Sequence, residues 1–351
     1  MIMKAKELAQ KLNVSPATIS LVLNNKPGIS DHLRHSLIQQ IKDLGCEEML
    51  CNYTPVYSHA PTSRQGIAYL IYTDSEESSD KFAFYPEVLE GAEIEARENE
   101  YNFLVFHVTP GTGNITQLIS NANVIGAVVQ AKHISHEILE HLSSLDIPYV
   151  FIDAYRPDIA ASCVCVNNEQ GIYSAVRYLK ELGHENLGYI STGYESDTAV
   201  ERRRNFHLAL REYGLEDNRR NYYSAISNPG ESLSSALCRK FTESPPEVTA
   251  FLAENDVVAW QTIEALKHCG YKIPEDISII GFDDRSVCTL TLPNLTTVKN
   301  FRNLMGRQAI SMVKNKLRMK KLYMEDSPIK YELPTKLIIR DSVRDLRDAE
   351  A

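Results

Sequence analysis

Residues 14–30 read VSPATISLVLNNKPGIS. Ser15 stands where an N-cap belongs and Pro16 at the first helical position, a strong helix start. Along PATISLVL, residues 16–23, the apolar Ile19, Val22 and Leu23 fall on one side. After the loop NNKPG, Ser30 caps a further helix, DHLRHSLIQQIKDL. Its Leu33, Leu37, Ile41 and Leu44 make an i, i+4 stripe, and Gly45 ends it. Upstream, KAKELAQKLN is a short helix with Leu8, Ala9 and Leu12 on one face and lysines opposite, and Asn13 suits a tight turn. Helix, short turn, helix, loop, helix within about 45 residues is the helix-turn-helix plan. In that plan the second helix projects its first residues into a major groove roughly 12 Å wide, while helix N-termini offer amides to phosphates. A plain three-helix bundle is the alternative that capping alone leaves open.

Charge is distributed to match. Residues 1–42 hold six basic side chains (Lys4, Lys6, Lys11, Lys26, Arg34, Lys42) against Glu7 and Asp31, a net +4. The chain of 351 residues carries −9, so the rest holds −13. The net charge argues against a general nucleic-acid binder, and a small basic head on a large acidic body is the asymmetry to pursue, although such a charge run is usually a solvated face. Hydrophobic residues at 43% and charged ones at 24% argue against a disordered or fibrous chain. No stretch reaches the roughly 18 apolar residues of a membrane span. MIMKAKELAQ lacks the apolar run of a secretory signal. Seven cysteines without a CxxC pair read as reduced thiols of a cytoplasmic protein, with no zinc site.

From residue 66 short apolar runs alternate with amphipathic stretches. GIAYLIY, NFLVFHV, VIGAVVQ and IPYVFID come first, then NLGYIST, EVTAFLA and DISIIGF. Nearly continuous apolar strands with helices between them imply parallel sheets covered on both faces, and so many units imply two α/β lobes. Trp260, inside the stripe VVAWQTIEAL, reads as core.

The stretch VSPATISLVLNNKPGIS resembles the DNA-binding signature of the lactose-repressor (LacI/GalR) family of bacterial regulators. The matching residues are Val14, Ser15, Ala17, Thr18, Ser20, Val22, Leu23, Asn24, Pro27, Gly28 and Ser30. PYVFID, NNEQGIYSAVRYLKELGHENLGYI, ERRRNFHLAL, AENDVVAWQTIEAL, IPEDISIIGFDD and LPNLTTV carry the resemblance through most of the chain. It implies an α-helical helix-turn-helix head joined to an α/β, two-lobed, periplasmic-binding-protein-like effector domain with two parallel sheets. The expected boundaries are a head at 1–48, a linker at 49–65 and an effector and dimerisation domain at 66–345. With crossings near 161, 292 and 328, one lobe takes 66–161 and 293–328, the other 162–292 and 329–345. The resemblance also implies that Lys4, Ser15, Pro16, Ala17, Thr18, Ser20, Leu21 and Asn24 face the groove or its phosphates.

Two departures stand out. Leu21 occupies a base-reading position where the family often has Arg or His, and leucine can touch only a thymine methyl or other apolar surface. Pro55 and Pro61 interrupt the linker, where the family commonly forms a hinge helix, so an extended or flexible connection is expected.

Ligands of open α/β sheets lie beyond the carboxyl ends of the strands. Gln130, Asp153, Asn255 and Asp283 end or follow strands. The resemblance adds Phe84, Tyr85, Thr198, Arg202, Asn300 and Arg302 to a cleft wall for a polyhydroxylated effector. Asp256 and Asp284 read as structural. Other signals fail: GTGNIT at 111–116 lacks the third glycine of a dinucleotide loop, and His136 and His141 are five apart instead of four. His184 reads as a helix-end residue without a catalytic role. The expected protein is a non-enzymatic, cofactor-free regulator, a homodimer, most simply a repressor, with an operator and a carbohydrate-like effector as partners. The alternative is a cytoplasmic sugar-binding sensor whose head has lost DNA specificity and serves as an interaction module.

Overall fold

The computed structural model describes residues 5–12, 14–23, 28–29, 31–44, 64–72, 86–108, 119, 122–193, 196–224, 231–322 and 327–347. They divide into two compact units, residues 1–64 and 65–351.

In the first unit, α1 (Ala5–Lys11), α2 (Pro16–Leu23) and α3 (Asp31–Asp43) enclose a small core of Leu8, Ala9, Ile19, Val22, Leu37, Ile38 and Ile41. Ser15 caps α2: its Oγ accepts from Thr18 N at 3.0 Å. The buried face of α3 differs from the expected stripe. Leu33 and Leu44 are exposed, while Arg34 is buried. Positions 34, 37, 38 and 41 form the inner face, where Leu37, Ile38 and Ile41 pack in the core and Arg34 Nη1 donates to Leu21 O at 3.0 Å. Ser30 and Gly45, the expected cap and stop of this helix, lie outside the described residues, as do 46–63 of the linker with Pro55 and Pro61.

The second unit contains two six-stranded sheets. One has the order β11-β5-β4-β3-β1-β2, from β1 (Gly66–Tyr72), β2 (Asn102–Val108), β3 (Val124–Gln130), β4 (Tyr149–Ile152), β5 (Cys163–Val166) and β11 (Lys330–Leu333). The other has the order β12-β10-β9-β8-β6-β7, from β6 (Leu187–Ser191), β7 (Tyr222–Ser224), β8 (Ala250–Ala253), β9 (Ser278–Asp283), β10 (Thr296–Lys299) and β12 (Lys336–Ile338). Neighbours run parallel except β12, which pairs antiparallel with β10. Strands such as CVCV, LGYIS and SIIGFD are buried at every residue, as a sheet covered on both faces requires.

Helices fill the layers. α4 (Pro86–Glu98) and α10 (Arg302–Lys321) pack on each other beside the first sheet, and α5 (His136–Ser143) belongs to the same lobe. α6 (Asn168–Glu181) and α7 (Asp197–Glu212) pair in the second lobe, as do α8 (Leu233–Glu243) and α9 (Asp256–His268). The α4–α10 contact is backbone to backbone. A Cβ on Gly306 would lie 2.0 Å from Val88 O, and one on Gly91 would lie 2.0 Å from Asn303 O. Only glycine permits this approach, and it holds Arg302, the first residue of α10, beside Glu87 near the start of α4.

The lobes are joined later along the chain than the sequence suggests. Crossings fall after β5, after β10 and between β11 and β12, near 167, 300 and 334 instead of 161, 292 and 328. Strands β5, β10 and β11 therefore change lobes relative to the expected boundaries. Their short runs could pair in either sheet. Register decides: Cys163 and Val164 pair with Phe151 and Ile152, and Thr296–Lys299 pair with Ile280–Asp283. Trp260 departs as well, being 38% exposed on α9. The C-terminal segment is strapped to the second lobe: Ser342 Oγ donates to Ile279 O, and buried His184 bonds both Thr249 Oγ1 and Arg344 O. Burial holds the His184 imidazole below its usual pKa, consistent with a structural tie.

Candidate functional site

The carboxyl ends of β4, β8, β9 and β10 bring charged side chains together around Arg202. This residue lies on α7, begun by Ser196, whose Oγ accepts from Ala199 N. Arg202 is 4% exposed, and three guanidinium nitrogens donate within the protein. Nε reaches Asn168 Oδ1 at 2.8 Å, Nη1 reaches Glu254 O at 2.9 Å and Nη2 reaches Asp283 Oδ1 at 3.2 Å. The Phe282 ring supports it, with the guanidinium carbon 3.8 Å from the ring centroid. Burial opposes the charge of Arg202, but Asp283 and Asp153 more than offset it and hold its pKa above the usual value.

Asp283 is bound from three sides. Its Oδ1 also accepts from Asn300 Nδ2 at 3.0 Å, and its carbonyl accepts from Arg302 Nη1 at 2.7 Å. Arg302 further donates to Asn300 Oδ1 and Asp284 O and pairs with Glu87, tying α4 of one lobe to the strand ends of the other. The backbone is unusual here. Asp153 (φ 54°), Asp283 (φ 113°) and Asp284 (φ 55°) all occupy the region that favours glycine. Such conformations cost about 1–3 kcal/mol each and persist where surrounding bonds over-determine them.

Three oxygens remain. Asp153 Oδ1, Asp283 Oδ2 and the Tyr189 hydroxyl are buried and have no hydrogen-bond partner among the described residues. Burial raises the Asp153 carboxyl to about 7, Arg202 lowers it and Asp283 and Glu201 raise it further. Burial raises the Asp283 carboxyl too, against the pull of Arg202 and Arg302. Unpaired buried acceptors are costly, and a ligand that donates hydrogen bonds would relieve the cost. Three of the five guanidinium N–H donors of Arg202 are engaged within the protein, so the cluster offers both unpaired acceptors and remaining donors.

Supporting residues surround this cluster. Asp256 sits beneath it, accepting from Thr297 Oγ1 and from Arg285 N at 2.7 Å, with its carboxyl raised to about 7 by burial and then by Asp283. Gly281 makes room for that carboxylate, since a Cβ there would be 2.3 Å from Asp256 Oδ1. Asp284 is held by Arg340 at 2.6 Å and Lys299 at 3.4 Å. At another point between the lobes, Asp197 N donates to Lys132 O and its carboxylate accepts from Ile134 N and pairs with His133 at 3.0 Å.

The structure thus gathers Asp153, Arg202, Asp283, Asn300 and Arg302 into one network. Three other expected residues also bond within the protein. Asn255 Oδ1 caps α9, accepting from Val257 N and Val258 N. Gln130 Oε1 accepts from buried Tyr69 OH at 2.9 Å. Thr198 Oγ1 meets Ser196 Oγ at 3.1 Å in the first turn of α7. Phe84 and Tyr85 lie outside the described residues. Asn168, Glu254, Glu201 and Glu87 were not anticipated. Asn168 and Glu254 follow strands β5 and β8, so the strand-end criterion applied elsewhere would have found them. Glu87 carries no local signal, because only the packing of α4 on α10 brings it to Arg302.

In the first unit, Ser15, Pro16, Ala17 and Ser20 are exposed along α2, while Thr18 and Leu21 are half-buried. Thr18 Oγ1 and Ser15 Oγ are 2.8 Å apart. Lys4 and Asn24 lie outside the described residues. Among the described residues no helix is long and apolar enough to cross a membrane, and no group of three or more His, Cys, Asp or Glu is placed to hold a metal.

Comparison with known proteins agrees with this architecture. Residues 176–343 match the periplasmic binding protein-like domain family. The chain is 25% identical to the HTH-type transcriptional repressor PurR of Photobacterium profundum, over 97% of this chain and 98% of the relative. A structure of the transcriptional regulator CelR–cellobiose complex superposes with a TM-score of 0.68 at 21% identity, covering 97% of this chain and 99% of that one. The lac repressor dimer bound to operator and the anti-inducer ONPF gives 0.65 at 18% identity, covering 97% and 99%.

Proposed function

We propose that this chain, a homologue along its whole length of HTH-type repressors of the lactose-repressor family, is a sequence-specific DNA-binding transcriptional repressor controlled by a small polar effector. The observation that carries the effector half is the pair of buried, partnerless oxygens, Asp153 Oδ1 and Asp283 Oδ2, one from each sheet. Arg202 bonds Asn168, Glu254 and Asp283, so it offsets the negative charge of the site and positions its carboxylate. The remaining acceptors suit an effector rich in hydroxyl donors, a sugar above all, and disfavour a carboxylate or phosphate facing Asp153.

The head supports the DNA half. Its capped α2 exposes Ser15, Pro16, Ala17 and Ser20 at the end that enters a major groove in helix-turn-helix proteins. The sequence resemblance adds Lys4 and Asn24, outside the described residues, to the expected DNA contacts. One head makes few contacts, so two heads on a homodimer would read two half-sites. Exposed Trp260 on α9, with exposed Leu290 and Leu292 in the segment tied to α9 through Lys267, supplies an apolar face for the second copy. The effector acts by binding one arrangement of the lobes better than another, since it can shift the equilibrium only by that difference. The site of action is the cytoplasm, where the operator is.

A second reading keeps the effector site but makes the head an interaction module. Half-buried Leu21 favours it, because leucine cannot read a base edge through hydrogen bonds. Fluorescence anisotropy on the chain's own upstream promoter at two salt concentrations separates the two. Preference over random duplex supports the repressor, and its absence at low salt removes it. For the effector, thermal shift across a panel of sugars identifies the ligand through mass-action stabilisation. Asp283→Ala and Arg202→Ala abolish that shift if the site is assigned correctly.

A further inference from the structure

Cys238 lies in the middle of α8 and Cys269 is the C-cap of α9; the two sulfurs are 3.2 Å apart and both thiols are free. We propose that this pair is a redox modification site, a dithiol that a hydroperoxide converts reversibly to a disulfide stapling α8 to α9. The helices already hold the sulfurs in contact. Cys269 Sγ also lies 3.7 Å from Cys238 O, so bond formation closes only the gap to the covalent length of roughly 2 Å.

Both cysteines are partly exposed, and a groove borders Cys238. The groove, of about 620 Å³ and lined by Ser235, Cys238, Arg239, Thr242 and His268 among others, exposes Cys238 to small solutes. Cys269 does not line it, and burial followed by the neighbouring Cys238 raises the Cys269 thiol above its ordinary pKa. Cys238 is therefore the peroxide-facing sulfur and Cys269 the resolving one. The Cys238 thiolate attacks the peroxide oxygen, breaking the O–O bond, and leaves as a sulfenic acid with release of an alcohol or water. The Cys269 thiolate then attacks the Cys238 sulfur, forming S–S and expelling hydroxide, which leaves as water. Two thiols have lost two electrons to the peroxide. The other described cysteines, Cys163, Cys165 and Cys288, are buried.

The staple has a definite place in the fold. α9 begins at Asn255 and Asp256 beneath the carboxylate cluster and ends at Cys269, and the bond would close a loop between residues 31 apart. Shortening the unfolded chain's freedom by such a loop stabilises the lobe.

The test treats the full-length chain with hydrogen peroxide, then alkylates, digests and maps it by mass spectrometry. The expected product is a linked pair of peptides containing Cys238 and Cys269, lighter by two hydrogens than the two thiols and restored by dithiothreitol. Cys269→Ser should instead leave a sulfenic acid at Cys238 that dimedone traps, and Cys238→Ser should give no link. The linked chain should melt at a higher temperature than the reduced one. Recovery of both cysteines as alkylated thiols, a link to another cysteine, or dimedone labelling confined to Cys269 would overturn the assignment. A linked chain that melts no higher would remove the stapling role.

Discussion

The guanidinium of Arg202 lies 3.2 Å from Asp283 Oδ1 with 5% and 1% of the two side chains exposed, while the other carboxylate oxygen of Asp283 has no partner among the described residues. One oxygen is fixed by the protein and the other is presented. Three donors of the arginine point at Asn168, Glu254 and Asp283 and hold it in place. The same pair joins α7 to β9 and so couples the site to the packing of the second lobe.

Removing that arginine should be severe. Arg202→Ala leaves Asp283 buried beside an uncompensated space, and breaking a buried pair from one side costs about 3–5 kcal/mol. Chemical denaturation should show a loss of that size, together with loss of the sugar-induced thermal shift. Arg202→Lys, keeping the charge but not the three-way fork, should recover only part of either.

Asp153 sets a pH dependence. Its carboxyl is raised to about 7 by burial from an ordinary value of 3.8, so between these values the folded chain holds more proton than the unfolded one. Stability contributed by this group must therefore fall as pH rises through that window. Asp256 acts in the same direction. Asp153→Asn should raise the melting temperature of the ligand-free chain at about pH 8 and have little effect near pH 4. An effector hydroxyl donating to ionised Asp153 should bind more tightly as pH rises through 7, with release of a proton detectable by calorimetry in buffers of different ionisation heat.

Gly306 tests the helix contact that positions Arg302. Gly306→Ala would place a carbon 2.0 Å from Val88 O, and forced separation of packed elements costs about 1–3 kcal/mol or more. The body should melt several degrees lower, while Gly214→Ala, with open space around it, should show only the smaller strain of its positive φ.

Ser15→Ala removes the side-chain acceptor of Thr18 N at the start of α2 and should cost the head about 1 kcal/mol. Operator affinity should drop with it, while the sugar-induced thermal shift of the body stays as it was.

Trp260→Glu addresses assembly. A charge on the exposed apolar face of α9 should move the chain from dimer to monomer in sedimentation at micromolar concentration. An unchanged dimer would place the second copy elsewhere.

What the sequence by itself determined is everything written in local chemistry. Ser15 and Pro16 start α2, apolar runs such as VIGAVVQ become buried parallel strands, and the polar residues after them gather at the strand ends. These follow from capping, period and burial, which act over a few residues. Tertiary structure decided the rest. Cys163–Val166 and Thr296–Lys299 could pair in either sheet until neighbouring strands fixed their register, so the lobe crossings moved. Arg34 joins the inner face of α3 and reaches Leu21 O, and Asn255 Oδ1 caps α9. Glu87 meets Arg302, 215 residues away in the chain, only because two glycines let α4 and α10 touch. Contacts between distant segments carry no periodicity, and their energies are set by which groups packing leaves without water.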